Sequence, residues 1–406
     1  MLGRLSLIKR YADVLPKELI TYSVLDAIVS SLFWVVQAPY LKCLGFTAIE
    51  YGLLGSVYAA SVVCATLVVG WLTDRFRAKY LMITSLIIRS VSLMLYLPGA
   101  KLLIYVAAVI NGVSAPISMI PTDVLISRLV EERRLEYGYS LIHALFLLGN
   151  SVGSYTGWVP ELVSRLGILD IVTSYRYVIA TSSISLPFLA LLLVKIKEPN
   201  PQPITSRTRN SLNGSLPRDV LLVVAKLCLA EVLIGLGASV SIRNISYYFI
   251  LKYGVKSGEL GTIYGIESLL MAILMIYLPS VSERIGSPLR TYCLVAMTSV
   301  PLLLGMTLVN SYVIASALFI CRSVLMNAAS PLFTAFEMRI IPPQHRGKAS
   351  SMIRLADSVA SIFGRGFGGY LMSLDLELPL RVTALLYATS LTYLLLTFRG
   401  SRDVRP

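Results

Sequence analysis

"GWLTDRFRAK", residues 70–79, closes one long apolar run and precedes another. Four charges fall between Asp74 and Lys79, three of them positive (Asp74, Arg75, Arg77, Lys79). No residue from Val62 to Thr73 is charged, and after Tyr80 the first charge is Arg89. A polar knot this short between two apolar runs reads as a tight turn at a membrane surface, joining two helices that cross the hydrocarbon. Such helices need about 20 predominantly apolar residues.

The rest of the chain fits that reading. Of 406 residues, 56% are hydrophobic and 14% charged, against about 25% charged in a soluble domain. Mean hydropathy is +0.73. Apolar runs lie near 18–41, 52–72, 80–98, 102–126, 138–159, 174–195, 220–250, 259–279, 290–309, 312–338, 348–373 and 378–398. The expected fold is therefore all-α, with twelve transmembrane helices. The seventh and tenth runs are long enough to tilt or to continue past the membrane. Membrane strands would alternate apolar and polar residues, whereas "LIYVAAVINGV" (103–113) is continuously apolar.

The net charge of +14 follows topology. With residue 1 on the inner side, 23 of the 36 Lys and Arg fall in inner segments, 7 in outer segments and 6 inside spans. Inner loops rich in Lys and Arg fix orientation, so both termini are expected to be cytoplasmic in a multi-pass plasma-membrane protein. The basic residues then meet anionic lipid headgroups, and a nucleic-acid partner is not expected. The five cysteines form no CxxC and the two histidines, His143 and His345, lie far apart. No disulfide framework, metal site or cofactor is expected.

The stretch "KIKEPNPQPITSRTRNSLNGSLPRD", residues 195–219, is rich in Pro, Ser and Asn and lacks apolar periodicity. It reads as a flexible cytoplasmic linker that divides the chain into six spans and six. The expected organisation is a bundle over 1–197, a linker over 198–218 and a second bundle over 219–406. The halves echo each other. Glu283-Arg284 in "PSVSERIGSPLR" stand 209 residues after Asp74-Arg75, and Gly153 and Gly157 match Gly364 and Gly368 at 211. Two matches at nearly one offset point to duplication of a six-helix unit, in parallel repeat.

Gly70, Leu72, Asp74, Arg75 and Lys79 resemble the motif between helices 2 and 3 of the major facilitator superfamily, roughly G-x-L-x-D-R-x-G-R-K/R. Arg77 stands where the family prefers Gly. The second copy restores that glycine as Gly286 but begins with Pro279. "PPQHRGKA" (342–349), with Arg346-Gly347, resembles the family's turn between helices 10 and 11. The resemblance implies two bundles that alternate access around a central cavity. It also implies that Asp74 and Arg75 pair across helices, with Asp123 as the acid at the inner end of helix 4 and Glu337 as its second-half analogue. The family's proton-antiporter pattern on helix 5 is echoed only by Gly149, Gly153 and Gly157, without the Gly-Pro pair. Glycine at every fourth residue also makes a smooth stripe for close helix packing, the reading preferred here.

Charges inside spans are costly and usually face a cavity or a partner. Span 1 places Tyr22, Asp26, Ser30, Phe33 and Gln37 on one face. Asp26 has no base at i±3 or i±4, which suits a proton carrier or an ion pair with another helix, with Arg89 or Arg322 as the base. Arg89 itself, on a peripheral span, reads as structural. Span 7 lines up Glu231, Gly235, Ser239 and Arg243. Glu267, Arg322 and Asn327 join it on spans 8 and 10, together with Asn111 on span 4 and His143 on span 5. Arg322 can pair with Glu267 or Glu231. Arg354 and Asp357 lie three apart on span 11 and can pair with each other, while Arg243 and Arg365 suit the outer surface. An Arg and two Glu would suit a solute with charged and hydroxyl groups.

The function expected is secondary active transport of a small solute by alternating access, coupled to protons, by a monomer. A drug or metabolite efflux antiporter and a lipid-type flippase of the same fold stay open as alternatives. No G-x-x-x-x-G-K-[ST] loop supports an ATP-driven pump. Without H-E-x-x-H or a catalytic Ser motif, an intramembrane enzyme is the weakest reading. The topology is open to direct test. A cysteine introduced at Asn210 in a cysteine-free chain reacts with a membrane-impermeant maleimide only after the cells are opened, and labelling in intact cells refutes the assignment.

Overall fold

In a computed structural model of the protein, residues 15–131, 135–198, 217–285 and 287–398 are described. Side chains are described for all of these except Asp74, Glu136, Tyr137, residues 276–284 and Gln344. The fold is all-helical, with twelve membrane helices. These are α1 (Lys17–Cys43), α2 (Ala48–Arg75), α3 (Ala78–Met94), α4 (Lys101–Leu129), α5 (Leu135–Ser154) and α6 (Ile171–Lys195). The second half contributes α7 (Arg218–Tyr253), α8 (Ser257–Ile285), α9 (Pro288–Leu308), α10 (Tyr312–Ile340), α11 (Arg346–Leu374) and α12 (Leu378–Thr397). Among the described residues nine helices are long and apolar enough by themselves to cross a membrane. The others are α3, which has 17 residues and carries Arg89, and α5 and α11, whose polar residues break the apolar pattern.

Polarity is inverted relative to a water-soluble protein. Leu102 and Leu308 are 75% and 82% exposed, while Ser85, Ser92, Ser182 and Ser390 are fully buried. Apolar surface costs nothing in hydrocarbon, so it provides no pull between helices. Small residues and interhelical hydrogen bonds must supply the contacts.

The chain falls into two compact units. One contains residues up to Leu44, Ala60–Pro203 and Lys256–Gly265. In it the α5 glycines lie on α1. A methyl at Gly149 would sit 2.7 Å from the Val24 carbonyl oxygen, and one at Gly153 would sit 2.8 Å from Ile28. Ser31 Oγ donates to Asn150 Oδ1 at 2.7 Å, and from α6 Ser182 Oγ donates to the Val29 carbonyl at 2.8 Å. The packing role read for the glycine row is the one the structure shows. Beyond α5, the short helix Trp158–Arg165 holds the start of α8. There Glu161 Oε1 accepts the Gly258 N–H at 2.6 Å, and Trp158 Nε1 donates to Thr262 Oγ1 at 3.0 Å.

The other unit contains Gly45–Ala59, residues up to Val255 from the linker, and everything from Ile266. It repeats the first unit's solution: Gly364 lies on Leu236 and Ser239, Gly368 lies on the Val240 carbonyl, and from α12 Ser390 Oγ donates to the Ala230 carbonyl at 2.9 Å. The α7 helix is broken, where its length alone suggested tilting or running past the membrane. After Val240 the backbone tightens into a 3-10 turn over Ile242–Asn244. Asn244 Nδ2 then donates to the Ser239 and Arg365 carbonyls at 3.4 and 3.0 Å, supplying partners that a broken helix in hydrocarbon needs. The α10 helix breaks at Ala329 because Pro331, which has no N–H, restarts it.

The duplication extends to turn chemistry. Gly45 and Gly254, 209 residues apart, end α1 and α7 in the left-handed region at φ 77° and 66°, which costs glycine nothing. Two residues after each glycine, the Thr47 N–H donates to Glu50 and the Lys256 N–H donates to Glu259, both at 2.8 Å. Thr47 Oγ1 completes the capping box by accepting from Glu50 N–H at 3.2 Å. Lys256 has no hydroxyl to do the same.

The stretch 195–219 does not begin as free linker. Glu198, three residues past the end of α6, has a side chain with no exposed surface. Its carboxylate accepts the first two N–H groups of α3, Ala78 at 2.9 Å and Lys79 at 3.0 Å. It also pairs with Arg128 Nη1 at 2.6 Å, and Lys79 Nζ donates to the Ile196 carbonyl at 2.9 Å. A carboxylate at a helix N-terminus meets both orphan donors and the positive end of the dipole. The flexible reading therefore fails at Lys195–Glu198, and residues 199–216 lie outside the described residues. Removing one partner of a buried pair strands the other, at a cost of about 3–5 kcal/mol. Glu198→Ala is accordingly expected to lower the melting temperature of the purified protein far more than Lys197→Ala, and equal, small losses would show that the contact contributes little.

Candidate substrate and coupling site

The expected pairing of Asp74 with Arg75 falls on a side chain outside the described ones. Only two residues separate α2 from α3. Arg75 stacks over the Trp71 ring at 3.9 Å, and Gly70 is exposed, with open space where a side chain would project. Asp74 lies outside the described side chains, as do Glu283 and Arg284, and Gly286 lies outside the described residues altogether. Asp123 is exposed, with its carbonyl accepting from Tyr139 at 3.0 Å. The acid seen among Lys79 and Arg128 is Glu198. It was missed because helical spacing shows faces but no partners. The available signal was an acid in a strongly basic stretch. In the second half Arg346 begins α11 and donates through Nε to the Ile341 carbonyl at 3.2 Å.

The polar face of α1 is satisfied largely by α3. Asp26 Oδ1 lies 2.9 Å from Arg89 Nη1, with the two side chains 12% and 15% exposed. Arg89 Nη2 donates to Ser30 Oγ at 2.6 Å, and Ser30 in turn donates to the Asp26 carbonyl. Further along the same face, Gln37 Nε2 donates to the Tyr96 hydroxyl at 3.1 Å, and the Phe33 and Tyr96 rings meet edge-on at 5.0 Å. Tyr22 is buried. Of the open pairings for Asp26, the structure selects Arg89, so α3 is part of this cluster rather than a peripheral support. Asn111 is buried, with its carbonyl accepting from Ser114 at 2.7 Å. His143 is exposed.

The second unit holds more ionisable groups than its pairs account for. Arg243 Nη2 lies 3.3 Å from Asp357 Oδ2, and its Nη1 donates to Ser239 Oγ at 2.8 Å. This overturns two expectations. Asp357 pairs with α7 instead of Arg354 on its own helix, and Arg243 turns to that acid instead of reaching for the surface. Gly235 makes room, since a methyl there would overlap the Asp357 carboxylate. Arg365 places its guanidinium 5.6 Å from the Tyr58 ring centre, while Arg354 is exposed. Glu337 is buried, with Oε1 lacking a hydrogen-bond partner among the described residues. Glu231, half-buried on α7, forms no ion pair there either.

Deeper in α10, Arg322 is 2% exposed and donates through Nη2 to the Tyr387 hydroxyl at 2.7 Å. The expected pairing with Glu267 or Glu231 does not form: among the described residues no carboxylate lies within salt-bridge distance of Arg322. Glu267 instead accepts from the Ser323 hydroxyl, and Asn327 Nδ2 donates to Ser323 Oγ at 3.0 Å. Tyr387 was not anticipated, because a tyrosine in an apolar span has no periodic signal. Each unit thus carries polar, charged side chains inside its membrane-spanning part.

Known proteins bear on this arrangement. No match was found among curated protein sequences. A bacterial homologue of the human lysosomal transporter Spinster, in an inward-facing and unoccupied conformation, has a similar fold. Its TM-score is 0.73 and its identity 13%, over 96% of this chain and 97% of that one. The nucleoside transporter NupG gives 0.66 and 13%, over 94% and 98%. A bacterial homologue of the iron transporter ferroportin gives 0.68 and 13%, over 96% and 98%. These likenesses speak to fold alone. The family profile described as Major Facilitator Superfamily matches residues 19–365 and 227–405. With that match over twelve helices, the chain belongs to the Major Facilitator Superfamily and is a multi-pass membrane transporter, not an enzyme.

Proposed function

We propose that the protein is a secondary active transporter that moves a small polar solute by alternating access and couples that movement to protons. The observation that supports coupling is the Asp26–Arg89–Ser30 cluster. A carboxylate inside a membrane-spanning unit, held by one guanidinium, changes its partner when it takes up a proton: a neutral Asp26 no longer holds Arg89 by charge, and α1 and α3 are free to shift. The pair is direct but incompletely buried, so water and protons can reach it during a cycle. Bundles over 1–197 and 219–406, joined by 198–218 and with both termini in the cytoplasm of a plasma-membrane monomer, complete the reading. The knot residues Gly70 to Lys79, with Arg128 and Glu198, would stabilise one state.

The decisive measurement is made in proteoliposomes. Asp26→Asn is expected to abolish accumulation driven by a pH gradient while keeping counterflow exchange of the same solute. Accumulation at the wild-type level removes Asp26 from coupling. Loss of both activities with a large fall in melting temperature makes the pair purely structural.

One feature favours a second reading, a lipid-type flippase. An apolar groove of about 480 Å³ runs between α7 and α11, lined by Cys228, Val232, Leu236, Met352, Leu355 and Phe363 among others. Fluorescent short-chain phospholipid in the same vesicles decides: protein-dependent movement between leaflets supports the flippase, and none leaves the solute transporter.

A further inference from the structure

We propose that Arg322 is the anion-recognising residue of the solute site, and that the transported solute is a small organic carboxylate. This inference rests on the transport reading above and names its substrate class.

Four bases in the protein are neutralised by a carboxylate. Arg89 faces Asp26, Arg128 faces Glu198, Arg243 faces Asp357 and Lys252 faces Glu377. Each has a carboxylate within salt-bridge distance. Arg365, which lies over the Tyr58 ring and also has an Nε without a partner among the described residues, shares the status of Arg322 but is less deeply buried. Arg322 is more deeply buried than any of these, heading the largest fully buried side chains, and its partner is a neutral phenol. A guanidinium cannot shed its proton to escape burial. It carries five N–H donors. One goes to the Tyr387 hydroxyl, and the Tyr387 ring centre lies 5.2 Å from Cζ. Nε finds no acceptor among the described residues. Tyr387 therefore takes one of the two Nη2 donors, and Nε–H is left without a protein acceptor, so the fork keeps donors for an anion such as a carboxylate.

Polar side chains follow Arg322 on α10. Glu267 keeps its hydrogen bond with Ser323 and does not close on the guanidinium. Ser323 and Asn327, one turn apart, present a hydroxyl and an amide. Such a set suits a carboxylate that also bears a hydroxyl or an amino group. Arg322 is buried in this conformation, so the carboxylate reaches it only when the unit opens, as alternating access requires.

A structural role for Arg322 predicts something different, and the two can be separated in the purified full-length protein. Met has similar reach and no charge. If Arg322 is kept for the solute, replacing a buried charge that lacks a counter-ion leaves stability unharmed. Arg322→Met without solute is then expected to melt at or above the wild-type temperature. A panel of C3–C6 hydroxy-, keto- and amino-carboxylates, each paired with its primary amide, supplies the second measurement, and phosphate monoesters of similar size form a third arm. At least one carboxylate is expected to raise the melting temperature of the wild-type protein while its amide does not. Arg322→Met should lose that shift, and Arg322→Lys, which keeps the charge but not the fork, should weaken it at least tenfold in midpoint concentration. The proposal is overturned if Arg322→Met melts well below wild type, if acid and amide act alike, if phosphate monoesters replace carboxylates, or if no carboxylate acts. The transport reading has its own outcome. A carboxylate that binds through Arg322 but shows no counterflow in proteoliposomes rejects transport and leaves the recognition role standing, whereas counterflow of an uncharged solute alone does the reverse.

Discussion

Backbone meeting backbone without an intervening side chain is the contact on which this structure depends. In hydrocarbon, two leucine-covered helices gain nothing by touching, because lipid tails offer them the same environment. Association then comes from close approach and from hydrogen bonds that cannot be made to water. Gly149 and Gly153 let α5 lie on α1, and Gly364 and Gly368 let α11 lie on α7. Serines fasten the same helices from the other flank, Ser182 to Val29 and Ser390 to Ala230. The charged clusters ride on these contacts: Asp26 and Asp357 are carried by helices whose spacing is set a turn or two away by glycine.

The same constraint explains which polar groups may sit inside. Every freed carbonyl or buried charge must find a partner within the protein. The break in α7 exists together with Asn244, which serves two of the carbonyls around it. Glu198 is tolerated with no exposed surface because two backbone N–H groups and a guanidinium meet it at once. Among the described residues partners run short at a few buried atoms, Glu337 Oε1, Arg322 Nε and Arg365 Nε among them.

Much of the architecture was legible beforehand, for physical reasons. Span length is fixed by bilayer thickness, and the duplication left an offset that simple alignment finds. The glycine stripes announced close packing because a four-residue step returns to the same face of a helix. Partner choice was not legible. Helical periodicity places Asp26 on a face but says nothing of which neighbour meets it, so Arg89 and Arg322 both stayed open as its base. Proximity along one helix suggested Arg354 for Asp357, yet the aspartate reaches across to Arg243, over the gap that Gly235 leaves. A proline-rich composition hid Glu198, because composition averages over a segment in which one residue is anchored.

The paired turn glycines and capping glutamates carry a historical consequence. Gly45 with Glu50 and Gly254 with Glu259 are details too local to be needed for any shared overall shape. Their recurrence is easier to inherit than to reinvent, which favours descent of both halves from one six-helix unit that already possessed this corner. An even number of crossings returns a chain to the side it left. A tandem copy of such a gene could therefore be joined through a polar segment alone, with no extra crossing and no inversion of the second copy. An ancestor with an odd number of crossings would have needed one or the other. Since the fusion, the two corners have been free to diverge: Lys256 now stands where Thr47 still closes its box.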